Sequence, residues 1–464
     1  MIIVAFVIAA TTLTVMWLLL AHFLPDVSSR SKKSLLHLQT GLLAVIVAFT
    51  FSYPSVSAAT HPKVGKECSK IGQTEVHKGK MFKCVKKGKK VVWKRVKTAQ
   101  VPRPAVTQSA PATSDRSTFS PALGCKLGSP WPDESENAGF PRGANFAPAL
   151  GDRKSLVIFV EFPDVPRDER QIQEWKNHQI PAAEKAYGVM SYGKYNLRYE
   201  YKEKFFRLND PSLYYYKNYA KLIQDAVAQA QKEIDISRYD FVNVVTPNTD
   251  NIPDEGAAGW AGGIGTMGPI GEYLDNPSKR NWLMHETGHV LGLMHGYDYR
   301  GASLGAWDVM ANSFGLSDDL LGWNKFKLGW VADTEIDCLG DGVSRETVHR
   351  LGPIGAAGEN TKLVVVKLNE TEALGIELRR KTDIDYLTAE AEGVLVYKID
   401  TKIPSGEGAF QIVSNPTKFS TGTNGNRVLL GTMKLNEEVD FAGVKVKVIH
   451  EDSDSAYVSL SSSV

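Results

Sequence analysis

The sequence predicts an α+β chain in three parts: a small basic β-module, a central domain of mixed strands and helices, and an all-β domain after it. Three observations carry this. From residue 155 the pattern switches between continuous apolar runs and an amphipathic helical stripe. From residue 340 onward, short apolar segments recur between Gly, Asn and Asp turns, with no helical period. Between 61 and 98, apolar and polar residues alternate around Lys-Gly turns. At 464 residues, 43% hydrophobic and 23% charged, the chain has the composition of an ordinary globular protein with room for two or three domains. Its net charge of +2 gives no reason to expect a nucleic-acid partner.

Residues 1–59 read as a targeting region. Residues 2–24 are apolar and long enough to span a bilayer. Arg30, Lys32 and Lys33 follow, then a second apolar run from Thr40 to Tyr53 and the small-residue stretch PSVSAAT. That second set forms a complete secretory signal peptide, with Val56 and Ala58 at the small-residue positions and cleavage expected after Ala58 or Ala59. The first run is then either a transmembrane helix or an over-extended gene model starting before the true one near Val27. We take the second reading. The expected product is secreted, or anchored at the cell surface if residues 2–24 are retained.

Four cysteines in an exported chain suggest two disulfides, with three possible pairings. We expect Cys68–Cys84, closing a short loop, and Cys125–Cys338, tying the start of the central domain to its end. Residues 60–98 form the basic two-cysteine module, whose stretch Lys63 to Lys97 holds thirteen Lys or Arg against two acidic residues. Such a unit either binds an anionic cell-wall or surface polymer or serves as a solvated spacer. Residues 99–122, rich in Pro, Ser, Thr and Ala, read as a linker.

The central domain, 123–338, opens on SLVIFVEF (155–162), a continuous apolar run suited to a buried strand. Residues 219–234 carry Leu222, Ile223, Ala226, Val227 and Ala230 on one stripe, which predicts a helix. YDFVNVVTP (239–247) predicts a second buried strand. GWAGGIGTMG (259–268) predicts a glycine-rich loop or an irregular edge strand, either a cleft wall or a plain connection.

The densest chemistry follows in HETGHVLGLMH (285–295). Residues 282–293 have helical character. His285 and His289 are four apart, so their side chains stand one turn above each other on one face. Two imidazoles so placed can hold one Zn2+ ion. Glu286 points to the neighbouring face, where it can take a proton from a water at that ion without binding it. Gly292 lets the helix end in a left-handed conformation. The resulting turn brings His295 back as a third ligand and leaves a fourth position open, as catalytic zinc requires. HExxH alone arises by chance; HExxHxxGxxH adds two positions with separate physical reasons.

At these residues the chain resembles the metzincin zinc proteases. The stretch from HETGHVLGLMH through GAWDVMAN to WNKFKLGWV is similar to the M6 family, the immune inhibitor A-like peptidases. SYGKYNL (191–197) and GVLVYKIDT (393–401) are similar too, so the likeness spans about Ser155 to Thr401. It implies a metzincin-like zinc peptidase domain followed by a β-sandwich-like domain, a protein or peptide substrate, and Met310 in a methionine turn beneath the metal. The chain departs from the family in two places. Many members carry Asp where this chain has His295. Some metzincins place a Tyr two residues after the turn methionine, where Asn312 stands here. Tyr297 or Tyr299 could take that transition-state role, or simply pack at the cleft rim. Asp298 and Asp308 are candidates for orienting the ligand imidazoles, and equally for turn or calcium residues; nothing else in the sequence supports Ca2+.

Residues 339–464 carry KLVVVKL (362–368), GVLVYKI (393–399) and VKVKVIH (444–450), the strands of the expected all-β domain. Two functional classes follow: an exported zinc endopeptidase, or a surface-binding protein on a protease-like scaffold. The intact Glu286 favours the first.

Overall fold

The computed structural model describes residues 66–68, 74–77, 80–87, 90–95 and 110–463, apart from breaks at 133–134, 253–255, 261–262, 270–281, 299–303, 306, 312–314, 359 and 423–426. The signal-like segment, the apolar run 2–24, Tyr299 and Asn312 lie outside the described residues. Among the described residues, no helix is long and apolar enough to cross a membrane. The chain divides into two compact units, Met1–Gln108 and Ser109–Val464.

In the first unit, β1 (Thr74–His77), β2 (Lys80–Lys87) and β3 (Lys90–Arg95) form an antiparallel meander. Among the described residues its core is Phe82, Cys84 and Trp93, with Cys68 and Val91 packed against them. The Cys68–Cys84 disulfide fastens the preceding strand segment to β2, which suits a core this small.

The second unit begins with segment 110–122, expected as part of a linker. It adds to the β-domain instead: Ser114 N–H donates to Val348 O at 2.9 Å and Ser120 N–H to Cys338 O at 3.0 Å. Arg116 also pairs with the buried Asp337 at 2.6 Å.

A five-stranded sheet comes next. It is built from β4 (Gly151–Glu161), β5 (Tyr195–Arg207), β6 (Phe241–Thr246), β7 (Gly256–Trp260) and β8 (Gly263–Pro269), in the order β5-β4-β6-β8-β7. All pairings are parallel except the edge pair β7–β8. Both faces are covered, which explains why β4 and β6 read as unbroken apolar runs. Leu156, Ile158, Val160, Val242 and Val244 pack on helix Tyr219–Ala230 through Leu222, Ile223, Ala226 and Val227. Val157, Phe159, Tyr199 and Phe241 face the opposite layer. That layer holds helix Ile180–Met190 and helix Trp282–Val290. Within the glycine-rich stretch, residues 259–260 and 263–268 lie in the antiparallel edge pair β7–β8. One buried polar ladder crosses the sheet: Asn243 Nδ2 donates to Ser155 Oγ at 2.5 Å and Thr266 Oγ1 to Asn243 Oδ1 at 2.6 Å.

After a short helix, Gly322–Lys327, the chain becomes all β. β9 (Ile336–Leu339), β11 (Leu363–Lys367), β12 (Glu372–Arg379), β13 (Gly393–Asp400) and β14 (Phe410–Ile412) form one sheet. β10 (Thr347–Leu351) and the later strands Glu438–Phe441, Val444–Glu451 and Ala456–Ser462 form a second. The two stack as a sandwich through Val364, Val366, Ile376 and Val396 against Val446, Val448, Val458 and Leu460. The alternate residues Leu363, Val365, Tyr397 and Ile399 point the other way, into a core shared with Met294, Trp307, Trp323 and Phe326. The expected boundary at 338/339 therefore falls inside β9, which pairs in parallel with β11. The Cys125–Cys338 disulfide lies at this junction. The whole is a mixed α and β fold, compatible with the α+β class.

Candidate metal centre

Helix Trp282–Val290 carries His285, Glu286 and His289, and every one of its residues is buried. Tyr199 on β5 fixes it to the sheet by a hydroxyl contact of 2.9 Å with Thr287. Tyr187 fixes it to the neighbouring helix by donating to Met284 O at 2.6 Å. Its end is a left-handed cap. Leu293 N–H reaches back to Gly288 O at 2.9 Å and Gly292 N–H to His289 O at 2.8 Å, with Gly292 at φ +83°. That pair of bonds is the Schellman arrangement, and it reverses the chain so that His295 returns to the helix.

The ligand atoms of His285, His289 and His295 lie within 4.8 Å of one another. His289 Nε2 is 3.2 Å from His285 Nε2 and 3.0 Å from His295 Nε2. The opposite ring nitrogens are engaged elsewhere. His285 Nδ1 meets Val309 O at 2.8 Å, and His289 Nδ1 meets Leu293 O at 2.9 Å. Carbonyl oxygens only accept, so both Nδ1 atoms carry hydrogens and donate. A neutral ring then leaves Nε2 bare and facing its neighbours. Burial, with the neighbouring imidazoles adding to it, holds His285 well below its ordinary pKa. Burial takes His295 down to about 3. Burial opposes charge on His289 as well, but Glu136 and Glu286 outweigh it and raise that ring to about 9. Three imidazole donors converging in this way could hold a metal ion.

Two features were not legible in the sequence. Glu136 Oε2 lies 2.9 Å from His289 Nδ1. Ser405, on the loop after β13, accepts from His295 N–H at 3.0 Å. The same loop holds the next residues, since Gly408 N–H donates to Tyr297 O at 3.2 Å and Asp298 bridges to Glu407. The β-domain thus holds the segment bearing the third histidine. No spacing rule in the sequence links positions so far apart.

The remaining candidates fall as follows. Met310 packs directly under the helix: a Cβ added at Gly288 would sit 2.1 Å from its sulfur. Gly296 N–H donates to Met310 O at 3.0 Å, tying this turn to the segment that carries His295. Asp308 is fully buried with φ +76°. Its carboxylate accepts from Met310 N–H and Leu321 N–H, each at 2.8 Å, and from Asn324 Nδ2 at 2.7 Å. It therefore shapes the turn around Met310, while main-chain carbonyls and Glu136 take the imidazole Nδ1 atoms of the helix. Burial pushes the Asp308 carboxyl up to about 6 despite those bonds. Tyr297 packs its ring 4.5 Å from that of His295, centroid to centroid.

The cap gives a direct test of the local geometry. A Cβ at Gly292 would lie 2.7 Å from Phe146 Cδ2, on a backbone that L-residues rarely adopt. Gly292→Ala should destabilise the fold by about 2–3 kcal/mol, from left-handed strain and overpacking together. Thermal unfolding at an unchanged midpoint would contradict this.

No protein-family model matches the chain, and no curated protein matches it.

Proposed function

We propose that the protein is an exported zinc-dependent endopeptidase of the metzincin type, similar to the M6 peptidases. The observation that carries this is the convergence of three histidine Nε2 atoms beside a buried glutamate on the same helix. The donor set fits zinc. Tetrahedral coordination at 2.0–2.1 Å places ligand nitrogens about 3.3 Å apart, close to the 3.0 and 3.2 Å separations found here. All-imidazole donors suit zinc and its transition-metal neighbours, not calcium. Met310 beneath the helix and the turn at Gly292 support the metzincin reading. The two disulfides support an oxidising, exported setting.

His285, His289 and His295 would hold the ion. When bound, zinc supplies Lewis acidity towards water and the scissile carbonyl. Glu286 follows the first ligand directly and is buried. It takes the proton from the attacking water and delivers it to the leaving amine nitrogen. The carbonyls of Val309 and Leu293 keep two rings in the donor tautomer. Ser405 holds the third-ligand segment in place.

The test is cleavage of a proteome-derived peptide library, with new termini read by mass spectrometry. Cleavage should stop with a zinc chelator and return when zinc is restored. Cleavage indifferent to chelation, or none by the zinc-loaded protein, would contradict the proposal.

A further inference from the structure

We propose that Glu136 is a positioning residue of the metal centre, bracing His289 from behind and lending it negative charge. This rests on the zinc reading above. Glu136 sits on the strap that runs from the Cys125 disulfide into β4, well upstream of the ligand helix. The strap is anchored on two sides. Towards helix Gly322–Lys327, Trp323 Nε1 donates to Ala138 O at 2.7 Å, and Lys327 Nζ donates to Asn137 O. The Phe140 ring meets Trp323 edge-on at 5.2 Å. Towards the ligand helix, Ala147 N–H donates to Val290 O at 3.0 Å, and Arg142 bridges Ala147 O and Leu291 O at 2.7 and 3.3 Å. Glu136 therefore directly precedes backbone held against both helices.

The carboxylate reaches His289 Nδ1 at 2.9 Å, with the imidazole 5% and the carboxylate 26% exposed. Water screens such a pair weakly, and the two groups act on one another at close range. The Nδ1 hydrogen already has the Leu293 carbonyl at 2.9 Å. Removing Glu136 would thus leave the ring's tautomer and a hydrogen bond in place. What Glu136 adds beyond the Leu293 carbonyl is a negative charge in direct contact with the ring. It draws Nδ1–H density towards itself and makes Nε2 a stronger donor. It favours a proton and a metal ion on the ring alike, but zinc carries twice the charge and gains more.

The strap is thereby a working part of the metal site. It delivers a charged group to the second ligand, as the β13–β14 loop delivers Ser405 to the third.

The test uses the full chain and the variants Glu136→Ala and Glu136→Gln. Zinc dissociation constants are measured by chelator competition, with thermal midpoints of the metal-free proteins and visible spectra of the cobalt-substituted forms alongside. Glu136→Gln keeps the size and an oxygen acceptor but removes the charge. Both variants should bind zinc about tenfold more weakly, the lower end of the effect for a lost carboxylate partner. The cobalt bands should shift in both, a change that a lower metal-free midpoint alone would not produce. Wild-type zinc affinity in either variant would overturn the role of the charge. A wild-type protein that binds no zinc would instead defeat the metal reading, and this proposal with it.

Discussion

Glu286→Gln is expected to retain one zinc ion per chain and to lose peptide hydrolysis by on the order of 10³-fold in kcat. The glutamine matches the buried side chain in volume, so the loss reports proton transfer and not repacking. KM should change little, because the group acts on the proton in flight and not on substrate binding. Zinc content by mass spectrometry and steady-state kinetics on one cleaved peptide check both halves. Retained activity in a zinc-free variant would overturn the assignment of Glu286 and the metal together.

Glu377→Ala should cause the largest loss of stability. Glu377 lies on β12 of the β-domain, fully buried, yet its contacts reach towards the half that carries the three histidines. It accepts from Gly322 N–H at 2.6 Å and from Tyr397 Oη–H at 2.9 Å, and it pairs with the buried Arg379 at 2.5 Å. Arg379 in turn donates to Leu320 O at 3.1 Å and lies over the Trp307 ring. Deleting the carboxylate strands a buried guanidinium and uncaps helix Gly322–Lys327. Breaking one side of such a pair costs about 3–5 kcal/mol. That helix supports Asp308 through Asn324, and Asp308 shapes the turn holding Met310. The variant should therefore lose zinc affinity along with its midpoint. A drop under about 1 kcal/mol, as for an exposed pair, would show that the β-domain is not integral to the site.

The strands and the three converging histidines were legible in the sequence because each has a local signature. β4 and β6 are unbroken apolar runs since helices or other layers cover both faces of their sheet. His285 and His289 share a face by helical spacing alone, and Gly292 marks the turn to His295. The groups that hold those ligands have no such signature. Glu136 and Ser405 come from opposite ends of the compact unit and meet the histidines only through tertiary packing. Asp308 read equally as a partner for an imidazole and as a turn or calcium residue, and the structure supports the turn. Its oxygens are instead used by the backbone of its own turn. The boundary placed after Cys338 failed for a similar reason. Cys338 was expected to close the central domain, but Ile336–Leu339 pairs in parallel with Leu363–Lys367, and the apolar periodicity of so short a strand cannot reveal its partner.

The most direct test of the central claim is X-ray absorption at the zinc edge on the purified protein. The account predicts one zinc per chain with three imidazole nitrogens at about 2.0–2.1 Å and one further oxygen donor. Loss of stoichiometric zinc in the wild type, or a first shell containing sulfur at about 2.3 Å, would contradict it.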